Sequence, residues 1–242
     1  MSLPHFFAGA PQPGDHVVLS PEDARHAIRS LRLGPGDRFT SADGEGGVSV
    51  CRITRADRLL VEAEVEERRE EERARPQVTV MLAPPKGDRL TWAIQKLTEV
   101  GVDEIVLLEA SRSVRRFRGE RAEKITVRLD SIAREAAKQA RRVFLPQISG
   151  PVPWVEAVVP GDHPMFVMWE EGREGLLPLL PEERPDAISL VIGPEGGIPE
   201  EEARAAERAG AKLAWLGPSL LKVETAALAA ASIALARYGR LG

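Results

Sequence analysis

Two glycine-rich stretches in the last quarter of the chain constrain its fold more than any other feature. Residues 193–197 read Gly-Pro-Glu-Gly-Gly and follow an apolar run at 188–192, while residues 216–226 follow a second apolar run at 213–216. Each stretch then leads into a helical pattern. Strand, glycine-rich turn and helix in succession predict a ligand site at the carboxyl edge of a parallel sheet, because glycines without a Cβ let the main chain approach a ligand.

Either stretch alone is also compatible with a simple tight turn before a helix. Pro199 stands near the first helical position, and acids follow it, which is a common way to start a helix. Neither stretch is a dinucleotide fingerprint or a phosphate-binding loop, since G-x-G-x-x-G and Gly-Lys-Ser/Thr are absent. The pair, about one βα unit apart, favours a shared ligand site.

Composition excludes several classes of protein. The 242 residues are 43% hydrophobic and 29% charged, an ordinary globular profile. The single cysteine, Cys51, and four scattered histidines argue against a disulfide framework and against a bound metal. No apolar stretch is long enough to span a bilayer, and the start of the sequence lacks a leader pattern. We therefore expect a cytoplasmic protein with no membrane partner and no metal.

Charge is strongly segregated along the chain. The net charge is −4, yet residues 111–142 carry eleven Arg and Lys against four acids, which leaves that segment at +7 and the remainder at −11. A solvated helix face with i, i+4 ion pairs is the alternative, but four acids cannot pair eleven bases. This segregation favours a surface that contacts phosphates.

The chain divides into two predicted domains, residues 1–70 and 76–242. The first looks β-rich, with a helix at 21–33 capped by Ser20. The charge-dense run 62–75, which ends at Pro76, predicts the boundary. Short strands of the first domain are predicted at residues 15–19, 38–41, 47–54 and 59–65.

The second domain alternates strands and helices. Apolar strands at 78–83, 105–108 and 166–169 join the two described first, with helices at 90–100 and 225–238 and a short helix around 154–158. Apolar strands alternating with helices predict an α/β domain with a parallel sheet covered on both faces. The last helix is apolar on every side, which predicts burial inside the domain or across a subunit interface.

The two glycine-rich loops resemble the knot-forming loops of the SPOUT (trefoil-knot) RNA methyltransferases, and most closely the RsmE type, which methylates N3 of a uridine in 16S rRNA. In that type the first loop reads G-P-E-G-G and the second L-G-x-x-x-L-R-x-E-T-A. Here Lys222 stands where the family usually has arginine. Three further stretches resemble the same family: Gln95-Lys96-Leu97-Thr98-Glu99-Val100-Gly101, Ser111-Arg112-Ser113-Val114, and residues 134–142 with Glu135, Gln139 and Arg142 on one helix face.

The amino-terminal residues carry the same resemblance. His26, Leu31, Arg32, Gly36 and Asp37 match a pattern of the family's PUA-like RNA-binding domain. The opening Leu3-Pro4-His5-Phe6-Phe7 is similar to the family's start, with His5 in place of the usual arginine. The resemblance thus implies a PUA-like β-barrel domain over residues 1–70, followed by a SPOUT methyltransferase domain with a deep trefoil knot over 76–242.

The resemblance also implies a cofactor and partners. S-adenosylmethionine would lie between the two loops, with its adenine read by main-chain groups. The partners implied are 16S rRNA of the small ribosomal subunit and a second copy of the chain, since SPOUT enzymes are homodimers whose active sites draw on both subunits. The cofactor-binding residues implied are Trp169, Gly193, Glu195, Gly197, Leu216, Pro218, Leu221, Thr225 and Ala226.

Methylation at N3 of uridine sets chemical demands on the site. The imide nitrogen is protonated at neutral pH, so the enzyme needs a base nearby or cations that stabilise charge on the carbonyl oxygens. The candidate bases are Glu135 and Glu224, and the candidate cations are Arg134, Arg142 and Lys222.

The candidate RNA contacts are Arg25, His26, Arg29, Arg32, Lys86, Arg112, Arg115, Arg116 and Arg118, with Arg25, Arg29 and Arg32 on one helix face. Ribose 2′-O-methylation by another SPOUT activity and a non-catalytic RNA-binding role in ribosome assembly remain the alternatives.

Overall fold

A computed structural model describes residues 3–8, 15–112 and 119–242, apart from the side chains of residues 120–123. Its internal contacts divide the chain into two compact units. The first unit comprises the described residues as far as Arg73 together with Ala137–Leu145, and the second comprises those of Ala74–Ala136 and Pro146–Gly242.

The first unit is built on a five-stranded sheet with the strand order β1-β3-β4-β5-β2. Strands β1 and β3 are parallel and the other pairs are antiparallel. Phe6, Phe39 and Ile53 fill its core beside helix α1, which accords with the β-rich prediction. The elements are β1 (His5–Phe7), β2 (His16–Val18), α1 (Pro21–Arg29), β3 (Arg38–Ala42), β4 (Gly47–Asp57) and β5 (Leu60–Glu70).

The charge-dense run at 62–75, taken as the domain boundary from the sequence, is strand as far as Glu70. Strand β5 continues through it to Glu70 and pairs with β4. Glu66 on β5 forms ion pairs with Arg38, at 2.8 Å, and with Arg52. Opposite charges facing each other across strands support a sheet, so the low-complexity pattern here reflects an exposed strand.

Helix α1 confirms its predicted start and corrects its predicted end. The backbone N–H of Asp23 donates to the Ser20 hydroxyl at 3.1 Å, as an N-cap requires. The helix ends at Arg29, because Leu33 N–H donates to the Ala27 carbonyl and Arg32 takes a left-handed φ of 57°. Arg32 therefore lies outside the helix, and the prediction that it shares a helix face with Arg25 and Arg29 is wrong.

The last turn of the long basic helix and the segment that follows it also belong to the first unit. Ala137 packs with Phe7 and Ala42 in a small apolar cluster that Val143 and Leu145 complete. Lys138 Nζ and Asp23 Oδ1 are 2.7 Å apart in an ion pair whose side chains are both about nine-tenths buried. No sequence pattern predicted that this part of the chain belongs with the first seventy residues.

His5 is buried inside the first unit. Its Nδ1 lies 2.8 Å from the Thr40 hydroxyl and its Nε2 lies 3.0 Å from the Arg142 carbonyl. Burial lowers the pKa of this imidazole, Arg141 adds to the lowering, and the Arg142 hydrogen bond and Glu71 oppose it. Since both ring nitrogens have partners, we expect His5 to serve packing in this unit.

The lowered pKa of His5 predicts that stability falls in mild acid. The unfolded chain binds a proton near pH 6.5, whereas the folded chain resists it, so stability is lost as pH falls through about 6.5 toward the folded pKa. We expect urea denaturation followed by circular dichroism to show this loss between about pH 8 and about pH 5.5. His5→Gln, which does not titrate, should have a flatter profile; an identical profile would contradict the prediction.

The second unit is a six-stranded sheet, parallel throughout, in the order β11-β9-β10-β6-β7-β8. The five predicted strands are present as β6, β7, β9, β10 and β11, and the α/β prediction is confirmed. The elements are β6 (Gln77–Leu82), α2 (Arg89–Val100), β7 (Glu104–Glu109), α3 (Glu120–Ala140), β8 (Gln147–Pro153), α4 (Trp154–Ala157), β9 (Met165–Met168), α5 (Leu176–Leu179), β10 (Ala187–Ile192), α6 (Glu200–Arg208), β11 (Lys212–Ala214) and α7 (Val223–Arg237).

Helix α3 ends two residues before Arg142. Arg141 has a left-handed φ of 54°, and Arg142 N–H donates to the Ala137 carbonyl at 3.0 Å. Arg142 therefore lies beyond the helix, and the prediction that it shares a helix face with Glu135 and Gln139 is wrong.

The apolar carboxyl-terminal helix α7 is only partly buried in the single chain. It packs on α2 and on strands β6 and β10, through Ala227, Ala231 and Ala234 among others. Thr225 and Ala236 are exposed. One face of this helix thus stays open, and its side chains are small or apolar.

The chain after α7 is anchored to the second unit by Arg240. Its guanidinium contacts the Asp103 carboxylate at 2.5 Å and donates to the carbonyls of Pro76 and Gly101. Asp103 also accepts the backbone N–H of Val78. Side-chain exposure is 11% for Arg240 and 6% for Asp103, so this is a buried and well-satisfied pair.

Within the described ranges, no group of three or more His, Cys, Asp or Glu side chains is arranged to hold a metal ion. None of the helices described is long and apolar enough to cross a membrane. The deep trefoil knot stays a prediction.

Candidate functional site

The carboxyl edge of the parallel sheet in the second unit holds a cavity of about 760 Å³. The segments after β6, β9, β10 and β11 meet there, because β6, β10, β9 and β11 are neighbours in that order. Both glycine-rich loops contribute to the wall, as the sequence predicted. The lining residues are Arg89, Met168, Trp169, Glu170, Ile192, Gly193, Pro194, Glu195, Gly197, Ile198, Trp215, Leu216, Gly217, Pro218, Ser219, Leu220, Leu221, Lys222, Val223 and Ala226.

Two glycines shape the first loop by what they leave out. A Cβ on Gly193 would lie 2.4 Å from Cγ1 of Ile198, so the missing side chain lets Ile198 fold back over the strand end. Gly197 has a left-handed φ of 73°, and a Cβ there would lie 2.8 Å from Oε1 of Glu170. Side chains of the chain itself thus fill part of the space that the glycines leave.

Trp169, the residue just after strand β9, braces the first loop. It is 5% exposed, and its indole N–H donates to the Ile198 carbonyl at 3.3 Å. The Arg204 guanidinium lies over its ring, 5.1 Å from the centroid, within the range of a cation–π contact. Trp169 is therefore both core and cavity wall.

The polar groups of the first loop are tied to neighbouring segments. Glu195 Oε1 accepts the backbone N–H of Lys86 at 3.1 Å. Arg112 Nη1 donates to the Gly196 carbonyl at 2.9 Å. These bonds hold the loop to the segments after β6 and β7, and they give Arg112 a bracing contact within the second unit.

The cations of the cavity wall are Arg89 and Lys222. Lys222 is the N-cap residue just before α7, with an exposed side chain and a backbone carbonyl that accepts the Ala226 N–H. Glu224 is 8% exposed, and its Oε1 lies 3.7 Å from Nε of Arg89. Its buried Oε2 has no hydrogen-bond partner in the described part of the chain.

Most of the predicted cofactor residues line this cavity, whereas most of the predicted catalytic ones do not. Thr225 is the cofactor candidate that does not line it, and Lys222 is the catalytic candidate that does. Arg134 and Glu135 are exposed on α3, and Arg142 belongs to the first unit. Glu224 lies next to the wall, through Arg89.

The predicted RNA contacts do not line the cavity. Arg25, His26, Arg29 and Arg32 are exposed on the first unit, and Lys86 and Arg112 are exposed on the second. Arg115, Arg116 and Arg118 lie outside the described residues, as do Ser113 and Val114 of the motif that precedes them.

Sequence reasoning assigned no role to two charged residues of the cavity, Arg89 and Glu170. A signal existed for both. Arg89 ends the polar stretch Lys86-Gly87-Asp88-Arg89 that follows strand β6, and starts α2, while Glu170 stands just after strand β9. Polar residues just past the carboxyl ends of parallel strands are where such sheets bind ligands.

The cavity suits S-adenosylmethionine in size and chemistry. Its volume lies within the range of roughly 300–1,000 Å³ that small-molecule sites occupy. Apolar side chains such as Ile198, Leu216 and Leu221 and the main chain of two loops make up much of the wall, which fits a flat adenine. Acids and cations are both present, which fits the polar groups of the ribose and the methionine part.

Two family models match the sequence. The model described as RNA methyltransferase domain matches residues 71–235. The model described as RNA methyltransferase PUA domain matches residues 19–66.

Known proteins resemble the chain over nearly its whole length. Ribosomal RNA small subunit methyltransferase E of Mycobacterium bovis is 33% identical over 226 residues, which cover 91% of this chain and 86% of that protein. A Legionella pneumophila protein described as a methyltransferase, solved with bound S-adenosylmethionine, superposes with a TM-score of 0.85 at 27% identity over 98% of each chain. Ribosomal RNA small subunit methyltransferase E of Neisseria gonorrhoeae, also solved with S-adenosylmethionine, gives 0.84 at 27% identity over 97% of each.

Proposed function

The chain belongs to the RNA methyltransferase family, and we propose that it transfers a methyl group from S-adenosylmethionine to N3 of a uridine in 16S rRNA of the small ribosomal subunit. The observation that carries this proposal is the cavity at the carboxyl edge of the sheet, walled by both glycine-rich loops. Relatives named for small-subunit rRNA methylation, one of them solved with the cofactor, support it. We further propose that the protein acts in the cytoplasm.

The residues of the cavity meet the demands of this reaction in part. S-adenosylmethionine supplies an electrophilic methyl group, so the protein must position the acceptor and manage its proton. Lys222 lines the cavity as an exposed cation, and we assign to it the stabilisation of negative charge on the uracil carbonyl oxygens. The compact ammonium keeps the charge of the family's arginine but not its planar fork.

Of the two candidate bases, Glu224 fits this site better than Glu135. Its Oε2 is buried without a hydrogen-bond partner among the described residues, so it can take up a proton. Nε of Arg89 lies 3.7 Å from its other oxygen. Neither acid lines the cavity, but Glu224 contacts Arg89 of its wall, whereas Glu135 is exposed on α3. We therefore assign proton removal to Glu224.

RNA binding is assigned to the first unit and to the basic segment 111–142. The first unit carries the match to the PUA domain of RNA methyltransferases and exposes Arg25, His26, Arg29 and Arg32. A uridine paired in a duplex hides its N3, so the target must be unpaired or flipped out. Contacts between these side chains and the phosphates of the rRNA would hold the RNA while the target base enters the cavity.

We expect the chain to form a homodimer through the open face of α7. Leu228, Ala229, Ser232 and Ile233 are only half-buried there, and small side chains permit close helix approach. Sedimentation at micromolar concentration should give twice the mass of the chain, and Ala236→Arg should dissociate the dimer. The matched control is Ala205→Arg, an exposed alanine on α6. A wild-type monomer with full activity would contradict this expectation.

The proposed function is tested by methylating unmodified small ribosomal subunits and digesting their rRNA for mass spectrometry with chromatographic standards. The expected product is 3-methyluridine. A 2′-O-methylated nucleoside would assign the other SPOUT activity. Absence of any S-adenosylmethionine binding in equilibrium dialysis would favour a non-catalytic RNA-binding role in ribosome assembly.

A further inference from the structure

Glu170 offers the cavity a carboxylate whose hydrogen-bonding capacity is unused. It follows strand β9, lines the cavity and is exposed to it. Its Oε1 lies against the first loop, 2.8 Å from the position that a Cβ of Gly197 would take. Among the described residues, no hydrogen-bond donor or cation contacts this carboxylate, whereas Glu195, the other acid of the wall, accepts the Lys86 N–H.

The charges of the cavity wall are arranged in order across the sheet. Glu170 follows β9 and Arg89 starts the helix after β6, with β10 between these strands. Two strand spacings correspond to roughly 10 Å. By strand order, the cavity wall therefore carries a carboxylate, Glu170, on one side of β10 and a guanidinium, Arg89, on the other. Glu170 marks the acidic end of the cavity, and Arg89 marks the cationic end.

We propose that Glu170 accepts hydrogen bonds from the ribose hydroxyls of S-adenosylmethionine and so selects for a ribonucleoside cofactor; this inference rests on the proposed function. The methionine part carries a carboxylate, which Glu170 repels and which Arg89 attracts. The adenosine part is left for the acidic end, and its vicinal hydroxyls are two donors for two carboxylate oxygens. An acid plays the same chemical role toward the ribose in dinucleotide-binding folds.

The test compares wild type with Glu170→Gln in binding S-adenosylhomocysteine, which lacks the sulfonium charge, and its 2′-deoxy analogue. Hydrogen bonds to a charged group contribute enough for a roughly ten- to hundredfold change in affinity. We expect Glu170→Gln to weaken S-adenosylhomocysteine binding by this factor. The 2′-deoxy analogue should bind wild type more weakly than S-adenosylhomocysteine does, by a similar factor. Its affinity should fall little further when Glu170 is replaced by Gln. The matched control is Glu171→Gln, an exposed acid outside the cavity wall, which should bind like wild type.

Three outcomes would overturn the inference while leaving the proposed function intact. The first is Glu170→Gln binding S-adenosylhomocysteine as wild type does. The second is that Glu170→Gln binds S-adenosylmethionine more weakly than wild type does but binds S-adenosylhomocysteine equally well, which would place the carboxylate at the sulfonium. The third is that removing the 2′-hydroxyl of S-adenosylhomocysteine lowers affinity for Glu170→Gln by as large a factor as it lowers affinity for wild type. If the wild type bound neither S-adenosylmethionine nor S-adenosylhomocysteine, both proposals would be overturned. The unfolding temperature without ligand verifies that each variant is folded.

Discussion

Replacement of Lys222 by alanine is expected to lower the single-turnover rate of small-subunit methylation by about a hundredfold or more, the scale seen when one preorganised charge-stabilising group is removed. The side chain is exposed in the cavity wall, and its backbone contribution, a carbonyl that accepts the Ala226 N–H, survives the change. Binding of S-adenosylmethionine should change much less, because main-chain groups of the loops make up much of the wall.

Lys222→Arg is the matched control for this variant. It keeps the positive charge and restores the residue usual in the family, so the rate should stay within about tenfold of wild type. A Lys222→Ala rate near that of wild type would refute the assignment and move the catalytic charge to another group, with Arg89 in the same wall and Arg134 on α3 as the next candidates.

Arg240→Ala is expected to lower the free energy of unfolding of the second unit by about 3–5 kcal/mol, because it leaves the buried Asp103 carboxylate without its ion-pair partner. Asp103 would keep the Val78 N–H as a donor, which cannot offset the loss of the guanidinium. Urea denaturation followed by tryptophan fluorescence measures this effect, since Trp92, Trp154, Trp169 and Trp215 all belong to the second unit.

Arg208→Ala provides the control for this measurement. Arg208 is an exposed arginine in the last turn of α6, and surface changes of this kind stay within about 0.5 kcal/mol. If Arg240→Ala and Arg208→Ala lost equally little stability, the pair between Arg240 and Asp103 would contribute no net stability beyond that of solvated charges.

The parallel sheet was predictable because its strands are continuous apolar runs buried on both faces. Strand β10, predicted at 188–192, spans Ala187–Ile192. Strand β8 was missed, since Gly150, Pro151 and Pro153 interrupt its pattern. Strand β5 was predicted only at 59–65, and the charge-dense run 62–75 was taken as the domain boundary. The strand continues to Glu70, with Glu66 paired across the sheet to Arg38 and Arg52, and such pairing is invisible in a single segment.

The parts of the site formed by residues close together in sequence were predictable, and the parts formed where distant segments meet were not. Gly193 and Gly197 belong to one short motif, so their positions in the cavity wall could be predicted from that motif. Arg89 comes from a segment more than a hundred residues away, and its contact with Glu224 exists only in the folded chain. Arg32 and Arg142 left their expected helix faces because a left-handed residue ended each helix.

The participation of Ala137–Leu145 in the first unit makes that unit discontinuous in the gene. A truncation after Arg73 would remove Ala137, Val143 and Leu145 from its apolar cluster and Lys138 from its ion pair with Asp23. Recombination at a single junction could therefore not exchange this unit intact for another domain. A graft would have to carry two coding segments and rejoin the chain at three points, which ties the inheritance of the first unit to that of the second.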